Sequence, residues 1–144
     1  PLGAVLVRGI NAFAAVAARV CCTRTQMPRE LRQAYCAPYN SWQNRIATLR
    51  FVQDIPLRPG DRSYDVVSNV ENSLEPFKHK PILVCWGLKD FVFDKHFLRR
   101  WEETFADAEI HRFEDCGHYI LEDAKDEAVG LIQSFIEKTS GQTR

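Results

Sequence analysis

The stretch PILVCWGLKDFVFDKHFLRRWEETFADAEIHRFEDCGHYILED, residues 81–123, decides how this chain folds. Its first seven residues, PILVCWG, are a continuous apolar run closed by glycine, the pattern of a fully buried parallel strand rather than of an alternating edge strand. DKHFLRRWEETF, 94–105, then places Phe97, Leu98, Trp101, Thr104 and Phe105 on one helical face, with Asp94 standing where an N-cap belongs. AEIHRFED, 108–115, supplies a second strand. DAKDEAVGLIQSFIEK, 123–138, closes the pattern with a helix that carries Ala128, Leu131 or Ile132, and Phe135 on one side and charges on the other.

A strand-helix-strand crossover forces the two strands parallel, so the loops leaving their C-terminal ends share one edge of the sheet. Asp90 follows the first strand and His118 follows the second, 28 residues later. That edge is where open α/β sheets bind ligands. A carboxylate facing one imidazole nitrogen fixes the tautomer and stabilises the imidazolium, which leaves the other nitrogen to move a proton. Asp90 and His118 are therefore the expected acid-base pair. Their neighbours have plainer expected roles: Asp94 caps a helix, Glu114 and Asp115 solvate the loop, and Glu122 and Asp123 open the last helix, where its dipole favours negative charge. His79, His96 and His111 lack a carboxylate at a comparable strand end and read as structural or exposed. Cys116, without a second base to activate it, reads as a small packing residue.

Before Pro81 the chain reads as helices with punctuation. Residues 2–22 are expected to form one apolar helix, and MPRELRQAY, 27–35, a short one with Pro28 in its first turn. NSWQNRIATLRFV, 40–52, sets Trp42, Ile46 and Leu49 at i, i+4 and i+7, with Arg45 and Arg50 off that stripe. RPGD, 58–61, is a turn, and 65–77 carries Val66, Val67, Val70, Leu74 and Phe77 on one face.

Composition narrows the function. With 144 residues, 45% hydrophobic and 26% charged, the chain suits one globular domain with a real core. Nineteen basic and nineteen acidic side chains cancel without long runs of one sign, which disfavours nucleic acid and anionic membranes as partners and favours a neutral small molecule. Five cysteines with no CxxC pair and no histidine at zinc-finger spacing indicate neither a disulfide framework nor a metal site, and fit a reducing cytoplasm. The apolar opening has a longest uncharged run of ten residues, short of the roughly 20 a transmembrane helix needs. It also begins with Pro, and its most hydrophobic helix has nothing before it to pack against, so a piece of something longer is expected.

CWGLKD, 85–90, followed by CGHYILED, 116–123, each at a strand end, resembles the acid and base motifs of the α/β-hydrolase superfamily, whose triad order is nucleophile, acid, histidine. RGINAFAAVA (8–17), YCAPYNSWQNRIATLRFVQDIP (35–56) and WGLKDFVFDKHFLRRW (86–101) are similar to segments of haloalkane dehalogenase-like hydrolases. Among these they look most like the β-lactone decarboxylases of bacterial long-chain olefin biosynthesis. The resemblance implies an α/β fold in which residues 1–77 are a helical cap segment closing an apolar tunnel and 78–144 are the last two parallel strands and flanking helices of the core. It further implies an aspartate nucleophile, His118 as base, Asp90 as acid, substrate contacts from Phe13, Trp42, Phe51 and Phe91, a hydrophobic small-molecule substrate, and no cofactor or metal.

The sequence departs from that family at one decisive point. The nucleophile sits on a turn of the form G-x-D-x-G or G-x-S-x-G, whereas the seven glycines here, at 3, 9, 60, 87, 117, 130 and 141, include no two spaced four apart. The chain is thus expected to be the C-terminal half of an enzyme about twice as long, inactive alone and completed by an N-terminal half. The competing expectation is a non-catalytic remnant or binding module whose apolar first helix and open sheet edge associate with another chain or in an oligomer.

Overall fold

The computed structural model describes residues 2–141. The chain divides into two compact units, Pro1–Val20 with Met27–Glu75, and Cys21–Gln26 with Pro76–Arg144.

The first unit is helical: α1 (Leu2–Ile10), α2 (Ala12–Val20), α3 (Arg29–Cys36), α4 (Ile46–Asp54) and α5 (Tyr64–Asn72), with short 3-10 turns at Ala37–Tyr39 and Glu75–Phe77. The single helix expected over 2–22 is two helices bent by 75°. Asn11 lies between them at φ 54°, the left-handed region that asparagine tolerates better than other side chains with a Cβ. Neither helix is long and apolar enough to cross a membrane by itself.

The helix expected from Asn40 starts only at Ile46, and Trp42 falls in the turn before it. Two arginines, rather than an apolar stripe, organise that turn. Arg8 donates from Nε and Nη2 to the Trp42 carbonyl at 3.2 and 3.0 Å and lays its guanidinium 4.2 Å from the indole centroid. Arg45 donates to the carbonyls of Tyr39, Arg8 and Gly9 at 2.8, 2.7 and 2.9 Å. A cation there satisfies carbonyls that the end of α1 leaves without helical partners. On α5 the valines at 66, 67 and 70 are exposed.

The second unit holds β1 (Leu83–Gly87), α6 (Lys95–Thr104), β2 (Glu109–Phe113), α7 (Ile120–Asp123) and α8 (Lys125–Ser140). The crossover through α6 makes β1 and β2 parallel, in register from Leu83 opposite Glu109 to Gly87 opposite Phe113. Asp94 caps α6 as its position suggests, Oδ1 accepting from His96 N–H at 2.9 Å. Leu98 and Phe105 are buried, and Trp101 stacks on Phe105 at 5.6 Å.

Two expectations change here. Leu83 to Trp86 are only half-buried, not fully buried, because with two strands described each is an edge whose outer side has no neighbour. The last helix is also broken at Ala124, whose φ of −134° and ψ of 42° are not helical, so Asp123 ends α7 instead of opening α8. Phe113, Cys116 and Ala124 form the core, with Cys85, Ile120 and Leu131 packed against it. Leu131 rather than Ile132 takes the inward place on α8, with Ala128 fully buried a turn earlier.

Candidate active site

The parallel strands end side by side, and the backbone ties their outgoing loops together. Leu88 N–H donates to Phe113 O and Lys89 N–H to Cys116 O, both at 2.9 Å. The chain then turns at Asp90, whose Oδ1 accepts from the amides of Val92 at 2.7 Å and Phe93 at 2.9 Å. This Asx-type turn holds the carboxylate by its own backbone and leaves Oδ2 for another partner. Nδ1 of His118 donates to Oδ2 at 2.9 Å.

An aspartate carboxylate only accepts, so the proton of a neutral imidazole sits on Nδ1 and the lone pair on Nε2. The Asp90 side chain is 9% exposed and that of His118 26%. Screening by water is weaker for such a pair than for an open surface pair. The arrangement can orient a general base and stabilise the imidazolium it becomes. A cleft of about 170 Å³ adjoins the pair, bordered by Trp86, Gly87, Phe93, Gly117 and Ile120. Among the described residues no group of three or more His, Cys, Asp or Glu is arranged to hold a metal ion.

The four aromatic residues singled out from sequence have different surroundings, each within its own unit. Phe91 follows Asp90 and is largely exposed. Phe13 and Phe51 meet edge to face at 6.4 Å within the first unit, and Trp42 is occupied by Arg8. The aromatic ring that touches the imidazole on the cleft side is Phe93, at 5.3 Å between centroids. Sequence reasoning passed over it, although its place three residues after Asp90 in DFVF is where an aspartate turn would anchor an amide. Of the other histidines, His79 and His96 are exposed and His111 pairs with Glu109 of its own strand at 2.9 Å.

Asp115 does more than solvate its loop. Arg24 grips it through two hydrogen bonds of 2.9 and 2.8 Å and also reaches Glu127 at 2.5 Å. The guanidinium beside it holds the Asp115 carboxyl below the usual aspartate range. Cys116 is fully buried, and burial pushes its thiol up to about 11. A thiol of that kind is protonated at neutral pH. Native protein treated with iodoacetamide at pH 8 is expected to leave Cys116 unmodified by peptide mapping until denaturant is added, and rapid native labelling would contradict the packing role.

A parallel strand pair whose end loops bring an aspartate onto a histidine here forms part of an α/β fold, and that fold is the one found in about half of each haloalkane dehalogenase the chain matches. Its backbone matches a haloalkane dehalogenase from Bradyrhizobium elkani with a TM-score of 0.85 at 18% identity, over 99% of this chain and 48% of that one. A haloalkane dehalogenase from Agrobacterium tumefaciens matches at 0.78 and 19% identity, over 95% of this chain and 47% of that one. In sequence the chain is similar to the cis-3-alkyl-4-alkyloxetan-2-one decarboxylase of Shewanella oneidensis, 58% identical over 138 residues, which are 96% of this chain and 43% of that protein. The protein of the same name from Xanthomonas campestris is 41% identical over 137 residues, 95% of this chain and 45% of that one. The chain thus spans less than half the length of the curated relatives it matches. No protein-family model matches it.

Proposed function

We propose that this chain supplies the base and the acid of a nucleophile-histidine-aspartate triad to an enzyme that converts cis-3,4-dialkyl β-lactones to alkenes. The observation that carries this reading is the Nδ1–Oδ2 contact of 2.9 Å between His118 and Asp90, in a chain 58% identical to a protein named as a decarboxylase of such oxetanones. His118 is the base and Asp90 the acid that orients it. The nucleophile belongs to a part of the fold outside these 144 residues, so the chain alone is inactive. The cap role of residues 1–77 and substrate contacts from Phe13, Trp42, Phe51 and Phe91 belong to the same proposal.

The chemistry suits a small polar centre carrying apolar arms. Decarboxylation of a β-lactone breaks the alkyl C4–O bond and the C2–C3 bond of the ring, forms a C3=C4 double bond and releases C2 with both its oxygens as CO₂, with no net water consumed. A histidine held by a carboxylate can manage the charge and protons of the opened ring. A cleft of about 170 Å³ is below the roughly 300 Å³ at which ligand pockets begin; it admits the four-membered ring and leaves the alkyl chains to other surfaces.

The test uses the full-length protein. It is expected to release an alkene and CO₂ from a cis-3,4-dialkyl-oxetan-2-one and no halide from a 1-haloalkane. Halide release without alkene would move the assignment to dehalogenation, in which the same histidine would deprotonate water.

A further inference from the structure

One buried ionisable group has no part in the chemistry so far. Asp123 is 5% exposed, and its Oδ2 accepts from Gly117 N–H at 2.7 Å and Thr23 N–H at 2.9 Å. Oδ1 accepts from Arg24 N–H at 3.1 Å and, at 3.1 and 3.3 Å, from Thr23 and Thr25 N–H. The carboxylate therefore gathers four backbone amides from two separate segments.

Those segments flank His118. Gly117 precedes it and is held by Asp123 directly; Tyr119 follows it, and its N–H donates to Cys21 O at 3.1 Å. Cys21 lies two residues before Thr23, so both amides beside the histidine are tied to one assembly centred on Asp123. The fit is close enough that a Cβ on Gly117 would stand 2.5 Å from Cys21 O. Outside this ring, Thr23 Oγ1 donates to Asp115 O at 2.6 Å, and Arg24 grips the Asp115 carboxylate.

We propose that Asp123 is a positioning residue for His118. It clamps the segment Cys21–Gln26 onto the histidine loop so that Nδ1 stays in line with Asp90. The inference rests on His118 being the base. A loop at the end of a strand is otherwise free to move, and displacement of a reacting group by about 1 Å costs about a hundredfold in rate.

The experiment makes Asp123→Asn and Asp123→Glu in the full-length protein, with His118→Ala alongside. Asparagine keeps one acceptor and turns an NH₂ toward backbone donors; glutamate keeps the charge at a different reach. Expected in Asp123→Asn are a kcat lower by about tenfold to a hundredfold on the cis-dialkyl β-lactone, a KM within about twofold, and loss or broadening of the downfield NMR signal of the His118 Nδ1 proton. Asp123→Glu should fall between Asn and wild type. Wild-type kcat and an unmoved signal in folded Asp123→Asn would overturn the proposal. Failure of both variants to fold would overturn it too, because Asp123 would then act in folding without a separable effect on the histidine. Turnover surviving in His118→Ala would remove the base assignment instead, while the NMR signal, which needs no substrate, would still report whether Asp123 holds the imidazole.

Discussion

Replacing His118 with alanine in the full-length protein is expected to lower kcat by about four orders of magnitude or more, with the fold intact. The size follows from how little else near the pair can take over. Asp90 spends Oδ1 on the amides of Val92 and Phe93 and presents Oδ2 to the imidazole, so it has no geometry for acting as base in the histidine's place. Cys116 is protonated and buried. Stability should change by no more than about 1 kcal/mol, because the histidine side chain is partly exposed and closes no cavity of the core. Steady-state turnover together with circular dichroism separates the two effects. Wild-type rates in the variant would end the assignment of His118 as base.

Gly87→Ala should produce the largest loss of stability from a single methyl group. Gly87 ends β1 against the histidine loop, and an added Cβ would stand 2.5 Å from the Cys116 carbonyl oxygen, 2.8 Å from its carbon, and closer still to the Gly117 oxygen. All three are backbone atoms, so no rotamer change relieves the clash; the two strand-end loops must separate. They are also joined by the bonds from Leu88 to Phe113 and from Lys89 to Cys116, which that separation would break. A cost of about 3 kcal/mol or more is expected, a fall in Tm of about 6 °C or more in a protein of this size class. Because one loop carries Asp90 and the other His118, turnover by the full-length protein should drop as well. A variant within a degree of wild type and fully active would mean the loops do not approach as closely as the structure has them.

The strands, the crossover helix and the contact between Asp90 and His118 were legible because each depends on short-range pattern. PILVCWG and EIHRF announce strands, Asp94 announces a helix start, and the right-handed parallel crossover then leaves the residues after the two strands no choice but a common edge. The half-burial of β1 was not legible. An apolar run states how much surface a strand must hide, not how much of what hides it lies within the same chain.

The misreadings share a cause. Residues 2–22 are apolar apart from Arg8, Asn11 and Arg19 and read as one helix, yet Asn11 at φ 54° bends the stretch, a backbone choice invisible to periodicity. Trp42 fits a helical stripe with Ile46 and Leu49, yet Arg8 and Arg45, more than thirty residues apart in sequence, claim that turn with carbonyl hydrogen bonds. Asp123 looked like a dipole-favoured residue at a helix start; it is instead a buried acceptor for amides a hundred residues earlier.

By itself, then, the sequence determined the parallel strand pair, its crossover and the meeting of Asp90 with His118, because those follow from local periodicity and from chirality that holds for any such unit. Only the tertiary structure decided that Asp123 and Cys21 would bracket the histidine, that Arg24 would close on Asp115, and that Gly87 and Gly117 must lack side chains. These depend on hydrogen bonds and close approaches between segments far apart in the chain, and no spacing of residue types along one segment encodes the distance to another.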